Sequence, residues 1–120
     1  MINDQLRVLG IDHPDTINTR ANLALLRGQA GDPAGAVTAF EQILPDVLRV
    51  FGPDHPFTLE LRNRLAWWRG KAGDPTGAVA IYELLLPDVL GTLDLAHPRT
   101  RAIRNNLAYW SGQAGDPPMR

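Results

Sequence analysis

The sequence predicts an all-α fold, an α–α superhelix in which helix–turn–helix units repeat along the chain. The main observation is a period of 42 residues, because His13-Pro14 recurs as His55-Pro56 and His97-Pro98 (55 − 13 = 42 and 97 − 55 = 42). The tripeptide Gly-Asp-Pro recurs at the same spacing, at residues 31–33, 73–75 and 115–117. Repeats of roughly 20–50 residues are typical of solenoids, which stack their units around a continuous core and offer extended binding surfaces.

The chain of 120 residues predicts a single domain with repeats at about 1–42, 43–84 and 85–120, the last one truncated. A net charge of −1 gives no electrostatic reason to expect nucleic acid or an anionic membrane as partner. The absence of cysteine excludes disulfides and thiolate metal sites. The N-terminal residues lack the pattern of a secretory signal, and no apolar run is long enough to span a bilayer. We therefore expect a cytoplasmic protein.

Each unit begins with a helix that starts at the His-Pro pair. Proline suits the first turn of a helix, and Asp12 or His13 is the expected cap, with Asp54 in the same place in the second copy. Gly31 can take the left-handed conformation that closes a helix, and Asp32 can cap the next one. We expect first helices at about 14–30, 56–72 and 98–114.

The second helix of each unit carries an apolar stripe at helical spacing, which predicts helices at about 33–51 and 75–93. In the first unit this stripe consists of Ala36, Phe40, Ile43, Leu44, Val47 and Leu48. Pro45 and Pro87 interrupt the pattern, but the stripe stays in phase, which favours a kinked continuous helix over a break. Residues 3–9 match the tail of a further second helix.

Short motifs in these helices resemble those of tetratricopeptide repeats. The motifs are Asn22-Leu23-Ala24, Gly31-Asp32, Ala36 and Phe40, with Leu65-Ala66, Gly73-Asp74, Ala78 and Tyr82 in the second copy and Asn106-Leu107-Ala108 in the third. The period of 42 residues is similar to that of the longer subclass typified by kinesin light chains, and such repeats also occur as sensor regions of bacterial signalling ATPases. The chain departs from the family where Ala24, Ala66 and Ala108 replace glycine, and where Arg27, Arg69 and Ser111 replace an aromatic residue.

The resemblance implies a right-handed superhelix whose first helices line a concave groove that binds a peptide or a partner protein. Groove positions transferred from the family lie four residues apart: Ala21, Leu25 and Gln29; Asn63, Trp67 and Lys71; Asn105, Tyr109 and Gln113. The asparagines are expected to clamp a peptide backbone, and Trp67 and Tyr109 to act as aromatic anchors. The alternative is that both aromatic residues pack between helices, although the neighbouring Trp68 and Trp110 are better candidates for the core.

No pattern in the sequence indicates catalysis, a cofactor or a metal. Histidines of successive repeats stand about one unit apart, roughly 10 Å, whereas zinc ligands lie about 2 Å from one ion. His13, His55 and His97 are therefore expected to cap helices or to fill the joint between repeats. The repeated Arg20, Arg62 and Arg104 suggest a ladder for an acidic ligand, but pairing with scaffold carboxylates is favoured. The candidate carboxylates are Asp12, Asp46, Asp54 and Asp88.

The sequence therefore predicts a non-catalytic interaction module that binds a peptide or partner protein in its groove. The alternative is a structural fragment of a larger array, or of a signalling ATPase sensor region, that self-associates through uncapped end helices. Terminal repeats need a polar outer face to stay in solution, and apolar residues near both ends are candidates for such contacts. These residues are Leu6, Ile103, Leu107 and Trp110.

Overall fold

The computed structural model describes residues 13–115, which form five α helices and no strand. The helices are α1 (Pro14–Gln29), α2 (Pro33–Phe51), α3 (Pro56–Lys71), α4 (Pro75–Leu90) and α5 (Pro98–Gln113). Each helix packs against the next one in the chain, and the first helices α1, α3 and α5 also touch their neighbours in order. This arrangement is the predicted all-α solenoid. The helix tail expected at residues 3–9 lies outside the described part of the chain.

The repeated histidines begin the first helices. Nδ1 of His13 accepts a hydrogen bond from the backbone N–H of Asp15 at 3.1 Å, and His55 and His97 make the same bond two residues ahead. The cap of the second copy is thus His55, and the expectation for Asp54 is wrong, since Asp54 lies one residue too early to reach the free N–H groups of the first turn. Asp32 and Asp74 cap α2 and α4 in the predicted way.

The two internal prolines do not break their helices. Helix α2 continues through Pro45 to Phe51, and α4 continues through Pro87, which confirms the prediction of continuous helices. Helix α4 nevertheless ends at Leu90, three residues before the expected end at 93. The cause is Gly91, which stands where α2 has Arg49, because glycine is a much poorer helix former than arginine.

Two apolar clusters form the core, and α3 contributes to both. Leu61 and Leu65 join the cluster between α1, α2 and α3, whereas Leu59 and Ala66 join the one between α3, α4 and α5. Each unit is therefore stabilised by its immediate neighbours, as in other solenoids. No helix within residues 13–115 is long and apolar enough to cross a membrane.

The paired tryptophan and glycine positions fix how successive first helices pack. The Trp68 indole lies on Gly28, where an added Cβ would approach its ring to 2.7 Å, and Trp110 lies on Gly70, at 2.5 Å. Trp110 is only 4% exposed and Ile103 is fully buried, both in the cluster with α4. The expectation that Ile103 and Trp110 are uncovered at the end of the array is therefore wrong, because α4 covers this side of α5. Leu107 is half-buried, and Leu6 lies outside the described residues.

Two of the three repeated arginines pair with carboxylates of the scaffold. Nη1 of Arg20 lies 2.8 Å from Oδ2 of Asp46, and Nη1 of Arg62 lies 2.7 Å from Oδ2 of Asp88, in each case from a first helix to the following second helix. This confirms the scaffold interpretation for Arg20 and Arg62. The hydrogen bond from Arg20, with help from Arg49, holds the pKa of Asp46 below its ordinary value of 3.8, against the opposing effect of burial.

The lowered pKa of Asp46 predicts a pH-dependent contribution to stability. The folded state binds the Asp46 proton less tightly than the unfolded chain, so the stabilisation is complete well above pH 3.8 and is lost as the pH falls through the folded-state pKa. We expect Asp46→Asn to cost about 1–3 kcal/mol at pH 7 and less at pH 3. Thermal unfolding at both pH values measures this, with Asp54→Asn on the exposed turn as control. An equal loss at the two pH values would contradict the assignment.

Candidate functional site

Two cavities lie side by side on the face built by the first helices. The first, about 170 Å³, is mostly apolar and has a polar rim. Its lining is Asn18, Ala21, Asn22, Leu25, Phe40, Phe57, Glu60, Leu61 and Arg64. The second, about 250 Å³, is mostly polar. Its lining is Leu25, Gln29, Glu60, Asn63, Arg64, Trp67, Trp68 and Asn106. Because they share Leu25, Glu60 and Arg64, we describe them together as the groove.

The structure brings four of the residues predicted for partner binding into the second cavity: Leu25, Gln29, Asn63 and Trp67. Ala21 lines the first cavity and is 9% exposed. Lys71 and Tyr109 lie beside the groove in contact with Trp67. Asn105 and Gln113 are exposed on α5, and neither lines one of the two cavities.

An aromatic cluster surrounds Trp67, which lines the second cavity. The ring centroid of Trp67 lies 5.7 Å from that of Tyr109 and 5.2 Å from that of Trp110. Nζ of Lys71 lies 5.8 Å from the Trp67 centroid, within cation–π range. Trp67 is half-buried, so it both packs between α3 and α5 and presents part of its ring to the groove.

Two asparagine side chains bridge α3 and α5 in the groove. Nδ2 of Asn106 donates a hydrogen bond to Oδ1 of Asn63 at 3.2 Å. Nδ2 of Asn63 has no hydrogen-bond partner among residues 13–115, so its two N–H groups are free to donate. Below them, the Tyr82 hydroxyl donates to the backbone oxygen of Asn63 at 3.2 Å, and burial raises the pKa of Tyr82 well above its ordinary value of 10.0.

The charges in the groove are partly compensated. Oε2 of Glu60 lies 3.3 Å from Nε of Arg64 on the same helix, and its Oε1 lies 4.0 Å from Nε of Arg99 on α5. Within residues 13–115, no three His, Asp or Glu side chains come together in a way that could hold a metal ion. The geometry thus offers hydrogen-bonding groups and apolar walls, which suit binding.

Helical geometry explains which groove residues the sequence analysis missed. A spacing of exactly four drifts around a helix of 3.6 residues per turn, whereas steps of four, three and four stay on one face. On α3 that face holds Glu60, Arg64, Trp67 and Lys71. Its counterpart on α1 holds Asn18, Asn22, Leu25 and Gln29. Asn22 lies on this face, and its equivalents one and two periods of 42 residues later are Arg64 and Asn106, so this spacing would have identified both.

The comparisons with known proteins agree with this architecture. The family model described as tetratricopeptide repeat matches residues 16–57. Two crystal structures of nearly identical TPR-like repeats, described as kinesin light chain of Podosopora anserina, superpose with a TM-score of 0.86 at 24% sequence identity. One of the two carries a single substitution. Each alignment covers 95% of this chain and 54% of the other, so the chain spans about half the length of those proteins. No curated protein matches the sequence.

Proposed function

For a chain built of tetratricopeptide-type repeats in the 42-residue, kinesin-light-chain-like arrangement, we propose a non-catalytic role in which the groove binds an extended peptide of a partner protein. Tetratricopeptide repeats generally mediate contacts between proteins, and the two adjoining cavities of the groove support this face as the binding surface. The observation that carries the proposal is the pair of adjoining cavities with Leu25, Glu60 and Arg64 in common.

The two cavities support different parts of the recognition. The first is lined by Phe40, Phe57 and Leu61 below a polar rim, which suits one apolar side chain of the peptide. The second presents the free amide N–H groups of Asn63 and the amide of Gln29, which suit backbone carbonyl groups of the same peptide. Trp67 lies between α3 and α5 and adds the kind of aromatic surface that dominates binding energies at interfaces.

Other classes of partner have less support. The net charge of −1 gives no electrostatic reason to expect nucleic acid or an anionic membrane, and Arg20 and Arg62 pair with scaffold carboxylates. We propose that the protein is cytoplasmic. A chain without cysteine forms no disulfides and so does not depend on an oxidising compartment.

A library of peptides displayed on phage, selected on the immobilised chain, tests the groove. We expect selected peptides to bind the wild-type chain, and Trp67→Ala to weaken them at least tenfold in fluorescence anisotropy, since it removes aromatic surface at the groove. Gln29→Ala changes an exposed groove residue with little effect on the fold, and we expect it to weaken binding about threefold. Leu84→Ala, on a residue that is 71% exposed and lines neither cavity, is the matched control and is expected to leave affinity unchanged.

Unchanged affinity in both Trp67→Ala and Gln29→Ala, with normal circular dichroism, would contradict the groove as the binding surface. Failure of the selection to enrich any peptide would contradict peptide binding itself.

A further inference from the structure

The side of α5 that faces away from α4 corresponds to the sides of α1 and α3 that α2 and α4 cover. Ala24 and Ala66 are 1% and 0% exposed under α2 and α4, whereas their counterpart Ala108 is exposed. Gly28 and Gly70 each carry a tryptophan ring, but a Cβ at Gly112 would meet nothing within 4 Å. We name the surface formed by Arg104, Ala108 and Gly112 the outer face of α5.

Charge on the outer face indicates what would cover it. Arg20 and Arg62 each bind an aspartate that stands 26 residues later on the following second helix, and both arginine side chains are less than one-fifth exposed. Arg104 is exposed and forms no ion pair within residues 13–115. A helix that covers this face in the manner of α2 and α4 would therefore bring an aspartate to Arg104.

The chain carries the matching aspartate a third time, near its beginning. Residues 4–8 read Asp-Gln-Leu-Arg-Val, and residues 46–50 read Asp-Val-Leu-Arg-Val, one period later (46 − 4 = 42). Asp4 thus has the register of Asp46 and Asp88, the two aspartates that bind the repeated arginines. A second copy of the chain is the occupant that offers both this segment and the complementary charge.

We propose that the outer face of α5 docks residues 2–9 of a second copy, with Asp4 of that copy bound to Arg104. The contact is head to tail, so it continues the solenoid from copy to copy and does not close on itself. Leu26 gives independent support, because it has the register of Trp68 and Trp110, which lie on glycines of the preceding repeat. Leu26 is 57% exposed, and in the stacked copy it would lie on Gly112.

The composition of the two surfaces predicts a reversible contact. Within the chain, Ile17 and Val47 share one buried cluster, and Leu59 and Val89 share the other. The corresponding residues of the proposed contact are Arg101 and Gln5, so polar groups replace the apolar pair on both sides. The association therefore depends strongly on the Asp4–Arg104 pair and weakens with added salt.

Sedimentation velocity of the 120-residue chain, from 10 µM to about 1 mM at low salt, tests the proposal. We expect the average mass to rise with concentration in the wild type, and Arg104→Asp or Asp4→Arg to raise the dissociation constant at least tenfold by placing like charges together. The double variant restores opposite charges and is expected to associate as the wild type does. Asp54→Arg makes the same charge change at an exposed site and is the control.

A wild-type chain that stays monomeric over this range would overturn the proposal. So would association that both single variants retain, or single-variant defects that the double variant does not repair. Binding of groove-selected peptides is measured on the same variants and is expected to be unchanged, so a failure of the groove proposal and a failure of this one are distinguishable.

Discussion

Replacing Tyr82 by alanine is expected to lower the free energy of unfolding by about 3–5 kcal/mol, as for other large aromatic residues removed from a core. Tyr82 is fully buried in the cluster between α3, α4 and α5, and it is among the largest buried side chains of the described part of the chain. Its removal leaves a cavity that rigid helix neighbours fill only in part. Urea unfolding followed by circular dichroism at 222 nm measures the change.

Tyr82→Phe is the matched control for this substitution. Phe40 occupies the same position in the preceding repeat and is also fully buried, which shows that the site accepts a phenyl ring. The variant loses only the hydrogen bond to the backbone oxygen of Asn63, and we expect a cost of about 1 kcal/mol. Equal effects of the two substitutions, or an alanine variant as stable as the wild type, would contradict the packing described for this cluster.

The pair of Gly70→Ala and Gly112→Ala is expected to change stability in opposite directions. Both glycines are the second-last residue of a first helix, but a Cβ at Gly70 would lie 2.5 Å from the Trp110 ring, and one at Gly112 has open space. Overpacking of this kind costs about 1–3 kcal/mol, because the Trp110 indole must shift within a filled cluster. At Gly112 the better helix propensity of alanine is expected to stabilise by up to about 1 kcal/mol.

Thermal unfolding of the two glycine variants gives the result directly, since each differs from the wild type by one methyl group at an equivalent position. We expect the midpoint to fall by several degrees for Gly70→Ala and to rise slightly for Gly112→Ala. Changes of the same sign would show that Trp110 does not rest on Gly70.

Local chemistry made most of the fold predictable. Proline in the first turn, the Gly-Asp-Pro joint and the apolar stripe each act within a few residues, so the starts of all five helices follow from the sequence. One prediction failed where two neighbouring residues could both cap a helix, as with Asp54 and His55. Another failed where one copy departs from the repeat pattern, as with Gly91.

The candidate site was less predictable because it depends on how helices face one another. Trp67 and Trp68 are adjacent and chemically equal, and only the packing of Trp68 on Gly28 separates their environments. Arg64 and Asn106 line the groove because of the 3.6-residue period of their helices. Positions chosen exactly four residues apart therefore missed them. The covering of Ile103 and Trp110 depends on contacts with α4, which no single repeat encodes.

The most direct test of the groove as a binding surface is a titration followed by the indole N–H resonances of the three tryptophans. Trp67 and Trp68 line the second cavity, whereas Trp110 is buried on Gly70. With a peptide selected on the wild-type chain, we expect the Trp67 resonance, assigned with Trp67→Phe, to shift most, with a dissociation constant equal to that from anisotropy. Tight binding that leaves the Trp67 and Trp68 resonances unmoved would contradict the proposal that the peptide occupies the groove.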